Sequence, residues 1–182
     1  MMIEKIKADK FRWHGKKHIF ALPQFRFVYV KRHCEHYRDR NKLLFLFWRL
    51  IYQHMEIKYN MDVPAKVKIG KGLRIEHIGG VVINPLAELG ENITLLNGVL
   101  IGSQSRGKRM GTPIIGDEVW IGTNSVIVGG INIGKDCLIA PGAYVNFNVP
   151  AHSIVLGNPG KIIPKECATE GYILNKYEYK SE

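Results

Sequence analysis

From Val63 onward the chain carries an aliphatic residue at every sixth position, and that period leaves few folds open. The units run Val63-Pro-Ala-Lys-Val-Lys, Ile69-Gly-Lys-Gly-Leu-Arg and Ile75-Glu-His-Ile-Gly-Gly. They continue through Ile83, Leu89, Leu95 and Ile101, and later from Ile115 through Ile121, Ile127, Ile133 and Ile139 to Val145. Position one is Ile, Leu or Val, position two is often Gly, and position five is mostly small or aliphatic (Val67, Ala87, Val99, Ser125, Cys137, Ala143). A short strand turns position one inward, glycine permits a corner, and position five must fit beside its stacked neighbours. Three such units close one coil, and each coil buries its face only on the next. The period therefore predicts a mainly β chain wound as a parallel β-helix, with a small helical N-terminal region.

The period breaks twice. Ile75 to Ile83 is eight residues and Ile101 to Ile115 is fourteen. Insertions in a solenoid go to loops, often on the binding face. The first break holds Glu76-His77 followed by Gly79-Gly80; the second holds Ser103-Gln-Ser-Arg-Gly-Lys-Arg-Met-Gly-Thr-Pro-Ile, which is polar, basic and glycine-rich. His77 is a candidate base because imidazole titrates near neutrality. The second break reads as a flap over a ligand.

The first 60 residues have no hexad. Residues 1–58 hold 14 Lys/Arg against 5 Asp/Glu, while residues 59–182 are nearly balanced. A basic front end suits an anionic membrane surface or is simply solvated; no nucleic-acid motif accompanies it. The stretch after Asn41 reads as a helix with Asn41 as its N-cap. Its apolar run, Leu43 to Trp48, is too short to span a bilayer. Three scattered cysteines form no zinc or disulfide pattern, and the N-terminus lacks the apolar core of a signal peptide, so a cytoplasmic location is expected. The expected division is 1–60 as the basic helical region, 61–165 as the β-helix with a loop at 103–114, and 166–182 as a tail forming a loose extension or short helix.

These hexads resemble those of the left-handed β-helix of hexapeptide-repeat acyltransferases. Asp62-Val-Pro-Ala-Lys-Val-Lys-Ile-Gly, Glu76-His77, Val82-Ile83, the fourteen-residue break, Trp120-Ile-Gly-Thr-Asn-Ser and Gly157-Asn-Pro-Gly-Lys161 are similar to the serine acetyltransferase branch, over about residues 42–165. The resemblance implies acetyl-CoA as donor, His77 as general base with Asp62 assisting, and a homotrimer with active sites between subunits. It implies donor contacts at Gly102, Ser103, Gly122, Thr123, Ala140, Pro141 and Gly142, with Lys108, Arg109 or Lys161 for the phosphates. Glu76, Asn97 and Thr112 are the candidate acceptor contacts.

The chain also departs from the branch. Gly111 and Thr112 stand where serine acetyltransferases carry an Arg-His pair that helps to hold serine's carboxylate. Glu76 replaces Asp, and the helical region is short. These departures point to a sugar hydroxyl in surface polysaccharide biosynthesis as acceptor, on a small-molecule or lipid-linked sugar, with the basic front end at the inner membrane face. Serine O-acetyl transfer is the alternative. A zinc site like that of γ-class carbonic anhydrases is disfavoured, because the repeats supply only His77, with His152 beyond them; no metal is expected. A catalytically dead scaffold is disfavoured by the intact His77 and Asp62.

Overall fold

In the computed structural model, which describes residues 2–178, the helices α1 (Met2–Phe11), α2 (Pro23–Tyr37) and α3 (Lys42–Lys58) precede a three-sided prism of short strands. The first face is β1 (Lys68–Ile69), β4 (Glu88–Leu89), β7 (Ile114–Ile115) and β10 (Asn132–Ile133). The second is β2 (Arg74–Ile75), β5 (Thr94–Leu95), β8 (Val119–Ile121), β11 (Cys137–Ile139), β13 (Ser153–Leu156) and β14 (Lys161–Pro164). The third is β3 (Val82–Ile83), β6 (Leu100–Gly102), β9 (Val126–Val128) and β12 (Tyr144–Val145). All strand pairs are parallel except β13 with β14. The chain thus visits the three faces in turn, and position-one residues pair coil on coil: Ile69 with Leu89, Ile75 with Leu95, Ile83 with Ile101.

Those residues fill the prism, as the period requires. Ile69, Ile75, Ile83, Leu95, Ile101, Ile121, Ile127, Ile139 and Val145 are all buried, and so are Val67, Ala87, Val99, Ser125, Cys137 and Ala143 at position five. Each buried Ile or Leu contributes about 1.5–3 kcal/mol. The position-two glycines have a different reason from the one the sequence suggests. Gly90 does not need a left-handed backbone; a Cβ there would stand 2.7 Å from the carbonyl carbon of Gly116 in the next coil. Close approach of stacked corners selects glycine, and the left-handed residue at this corner falls two positions later, at Gly72, Asn92, Glu118 and Asp136.

The first coil has no coil above it, so its outward carbonyls need other donors. The helices supply them. Tyr52 Oη donates to the Val63 carbonyl at 2.6 Å and Lys31 Nζ to Val67 at 3.0 Å. Lys5 Nζ and Arg32 Nη1 donate to Ile69 at 2.8 and 2.9 Å, Arg32 Nη2 to Gly70 at 2.6 Å, and Arg12 Nη1 to Gly72 at 2.6 Å. Gln24 Nε2 reaches the Glu76 carbonyl at 3.0 Å. Arg12, Lys31 and Arg32 are fully buried, with Asp9 and Glu35 as counter-charges. Burial lowers the Lys31 ammonium to about 8 despite Glu35, and burial together with Arg74 lowers Arg12 to about 10. For Arg32, burial works in the same direction, but Asp9 and Glu35 outweigh it and raise its pKa. Part of the basic front end is therefore interior structure rather than the solvated or membrane-facing surface expected from composition.

Asn41 caps α3 as expected, its side chain accepting from the Leu44 amide at 3.0 Å. Tyr52 and Met55 face inward, while Leu43, Leu46, Phe47 and Leu50 are exposed. Among the described residues no helix is long and apolar enough to cross a membrane.

The tail is neither loose nor helical over residues 166–178. Asp136 accepts from the Ala168 and Thr169 amides at 3.0 Å each and from Thr169 Oγ1 at 2.6 Å. Ile173 packs with Trp120 and Leu138 on the second face. Lys176 pairs with Glu118, and Asn92 exchanges two hydrogen bonds with the Tyr177 backbone. Asp136, Glu118 and Asn92 sit at one corner in successive coils, so the segment climbs the prism as a strap. At the top, Arg12 Nε donates to the Leu174 carbonyl at 3.0 Å and Tyr177 meets Phe11 edge-on.

Candidate functional site

The eight-residue unit forms the turn from β2 to β3, at the corner between the second and third faces. Its two extra residues let Gly79 and Gly80 take φ of 109° and 68°. The turn is held from both ends: Gln24 binds the Glu76 carbonyl, and the Gly80 amide donates to the Asn60 carbonyl at 2.6 Å. Ile78 is half-buried against the core, and His77 is exposed.

Below His77 the same corner recurs coil by coil. The Gly98 amide donates to the Gly79 carbonyl at 2.9 Å, Asn124 to Asn97 at 3.1 Å, and Gly142 to Thr123 at 2.9 Å. Asn97, Gly122, Thr123, Ala140, Pro141 and Gly142 thus stand in one column under His77. Thr123 Oγ1 donates to Asn97 Oδ1 at 3.1 Å, and among the described residues nothing accepts from the Asn97 side-chain nitrogen. Gly98 is required here: its φ is 70°, and a Cβ would collide with the Asn124 side chain.

Asp62 lies on the other side of the turn. It forms a bridge beside Val82, with its amide on Val81 and its carbonyl accepting from Ile83, both at 2.8 Å, and its side chain is exposed. Among the described residues no hydrogen bond or ion pair joins Asp62 to His77. Glu76 is engaged elsewhere. Its carboxylate accepts from Arg74 Nη2 at 3.0 Å, while Arg74 stacks at 4.4 Å over Trp13 and donates to the Arg12 carbonyl at 2.6 Å. Glu76 is thus an anchor between the turn and the helical cap. Sequence reasoning missed Arg74, Trp13 and Gln24, because nothing in their spacing ties a residue of the cap to a residue of the coil.

The fourteen-residue unit leaves the opposite edge of the third face. Gly102 and Ser103 are its root, and Gln104 pairs antiparallel with Gly111, through hydrogen bonds of 2.9 and 3.0 Å, to make it a short hairpin. Arg109 is spent on structure, its guanidinium on the Asn146 carbonyl and its own carbonyl accepting from Gly130 at 2.8 Å. Thr112 Oγ1 donates to the Leu86 carbonyl at 3.2 Å. Arg106 and Lys108 are exposed, and no acid pairs with either among the described residues. Lys161 is exposed in β14 on the last coil. The expected residues therefore fall into two groups on opposite edges of the third face: His77 and the column beneath it, and the hairpin. Within one chain they do not meet.

Residues 112–146 match the family described as bacterial transferase hexapeptide (six repeats). The serine acetyltransferase of Bacillus pumilus is 35% identical over 124 residues, covering 68% of this chain and 57% of that protein. The structure of the Neisseria gonorrhoeae serine acetyltransferase in complex with serine is 31% identical, with a TM-score of 0.72, covering 89% of this chain and 69% of that one.

The chain belongs to the hexapeptide-repeat transferase family.

With that, the β-helix is left-handed, as the resemblance implied. A Brucella abortus serine acetyltransferase solved with coenzyme A shares the fold, with a TM-score of 0.74 at 24% identity and coverage of 91% of this chain and 67% of that one. The chain spans from 30% to 57% of the length of the curated relatives it matches. These relatives overturn the expectation of a sugar acceptor in polysaccharide biosynthesis, since they are serine acetyltransferases, one of them solved with serine. Two of the features that pointed to a sugar have structural roles. Gly111 and Thr112 are the hairpin's own residues, paired to Gln104 and Leu86, and much of the basic front end caps the first coil.

Proposed function

We propose that this chain is an acetyl-CoA-dependent serine O-acetyltransferase that works as a homotrimer. The observation that carries the reading is His77: an exposed imidazole on a turn fixed at both ends, at the head of a column of backbone amides and small residues, in a chain whose relatives are serine acetyltransferases. His77 takes the proton from serine's hydroxyl as the oxygen attacks the thioester carbonyl. The tetrahedral oxyanion is stabilised by the Asn97 side-chain amide, oriented by Thr123, since the Gly98, Asn124 and Gly142 backbone amides of the column already serve the neighbouring coil. Collapse expels the CoA thiolate, which recovers the proton from His77. Asp62 serves to stabilise the imidazolium once the site is assembled.

The third face supports the trimer. Its outward column is Val82, Leu100, Val126 and Tyr144, exposed or half-buried. The first face carries the Lys68–Glu88 ion pair, and the strap covers the second. Burial of the third face against a neighbour brings the His77 edge of one subunit beside the hairpin of the next, which joins the two groups of expected residues. Lys108 and Lys161 are then candidate cations for donor phosphates. A cytoplasmic setting suits the donor.

The test is release of free thiol from acetyl-CoA with L-serine as acceptor, for the native protein and His77→Ala. Serine-dependent turnover in the first and none in the second is expected. Absence of turnover with serine from a folded native protein refutes the reading.

A further inference from the structure

A cleft of about 400 Å³ opens between α2, α3 and the short turn of helix at Ile19–Ala21, outside the column and the hairpin. Its walls are aromatic: Phe20, Tyr29, Trp48 and Tyr59. The rings brace one another, Phe20 on Tyr29 at 5.4 Å and Tyr29 on Trp48 at 6.4 Å, both edge-on. Its basic lining residues are Arg26, His54 and Lys58, all exposed, and the lining holds no Asp or Glu. No carboxylate pairs with Arg26, His54 or Lys58 among the described residues, and Lys58 Nζ lies 5.8 Å from the centre of the Tyr59 ring. The buried cations of the helical cap, Arg12, Lys31 and Arg32, are consumed by Asp9, Glu35 and the first-coil carbonyls. Arg26 and Lys58 are instead left beside aromatic walls.

We infer that this cleft is a binding site for a small anion that carries a flat aromatic ring, as an aryl carboxylate or a nucleoside monophosphate does. Stacking on Trp48 and Tyr59 holds the plane, and Arg26 and Lys58 hold the charge. A non-planar or uncharged molecule satisfies only half of the lining. A second copy of the chain docked there would bring its own basic cap against Arg26 and Lys58, so charge favours the small anion.

The site also abuts the base-bearing turn. Arg26 follows two residues after Gln24, which binds the Glu76 carbonyl, and Tyr59 precedes Asn60, which accepts from the Gly80 amide. The two elements that form the walls thus hold both ends of the turn that carries His77. A ligand that draws α2 and α3 together acts on that turn. This makes the cleft an effector site, separate from the acceptor and donor sites.

The test is calorimetric titration of the full-length protein with benzoate and with AMP, using cyclohexanecarboxylate and adenosine as the non-planar and uncharged controls. Benzoate or AMP binds, the controls bind more weakly, and Arg26→Ala/Lys58→Ala lowers affinity by about tenfold or more. That variant keeps native circular dichroism, because among the described residues neither side chain makes a hydrogen bond or an ion pair. Binding of neither anion overturns the inference. So does equal binding of adenosine and AMP, or binding unchanged in the variant. AMP binding that only excess CoA removes belongs to the donor site and also overturns it. For the effector role, the bound anion shifts the rate of thiol release by about fivefold or more in the native protein and not in the variant; an unchanged rate refutes the coupling. Calorimetry decides the site even if serine proves not to be the acceptor.

Discussion

Arg32→Met is the sharpest test of how the prism is closed at its open end. The substitution keeps the bulk and removes a guanidinium that is 1% exposed. It breaks the pair with Asp9, at 2.8 and 3.1 Å, and strands a carboxylate whose side chain is 2% exposed. It also leaves the Gly70 carbonyl without this donor, while Ile69 retains Lys5. Removing one partner of a buried pair costs about 3–5 kcal/mol. An orphaned carbonyl adds about 1–3 kcal/mol. Asp9 keeps one donor, the Leu73 amide at 2.8 Å, which relieves part of this. The expected loss is therefore about 4 kcal/mol. The assay is equilibrium urea unfolding followed by tryptophan fluorescence and circular dichroism at fixed protein concentration. Asp9→Asn/Arg32→Met recovers part of the loss, because no lone charge is left inside. A loss below about 1 kcal/mol for Arg32→Met refutes the idea that buried cations cap the first coil.

Four further outcomes follow from the same geometry. His77→Asn lowers kcat by about 10²–10⁴-fold with little change in KM for acetyl-CoA, read by thiol release. Thr123→Val loses the hydroxyl that orients Asn97, and lowers kcat several-fold while unfolding shows a loss of about 1 kcal/mol. Leu100→Lys places a charge in the outward column of the third face, and light scattering then shows a monomer without activity. Lys31 has a folded pKa near 8 against 10.5 for the free group, so the unfolded chain binds more protons between those values. The stability of the native protein relative to Lys31→Met therefore rises as pH goes from 8 to 10.5 and is flat below 8, measured by unfolding across that range.

The prism was legible because its physics is local and periodic. Each coil needs one inward aliphatic residue per side, so Ile69, Ile75 and Ile83 announce themselves at fixed spacing, and a break in spacing announces a loop. The turn that carries His77 was legible for the same reason: its unit has two residues too many. The cap was not, because charge count does not record burial. Arg12, Lys31 and Arg32 look like a solvated basic surface until the first coil's unpaired carbonyls are seen beneath them. The strap was hidden too, since Asp136 and Thr169 share no pattern in the sequence, only a corner.

These two hidden features bear on the site more than the visible ones do. His77 sits in the coil that has the helical cap on one side and the stack on the other. Its turn is held by Gln24 and Asn60 from the cap, and by Gly98 from the coil below. The strap runs from the fourth coil to Arg12 and Phe11, so it ties the cap to the far end of the prism. Weakening Asp136 at the bottom therefore loosens the cap at the top. Asp136 sits below its ordinary pKa: burial opposes ionisation, and the donors from Thr169, His152 and Ala168 outweigh it. Its contribution is present above the unfolded value of 3.8 and is lost as pH falls through the lower folded value. Asp136→Ala removes it at every pH. Hydrogen exchange then quickens at the Ala168 and Thr169 amides, and to a smaller extent at Gly80, whose amide donates to the cap. Faster exchange at residues 168 and 169 with Gly80 unchanged shows that the strap holds only itself, and refutes the mechanical link from the tail to the His77 turn.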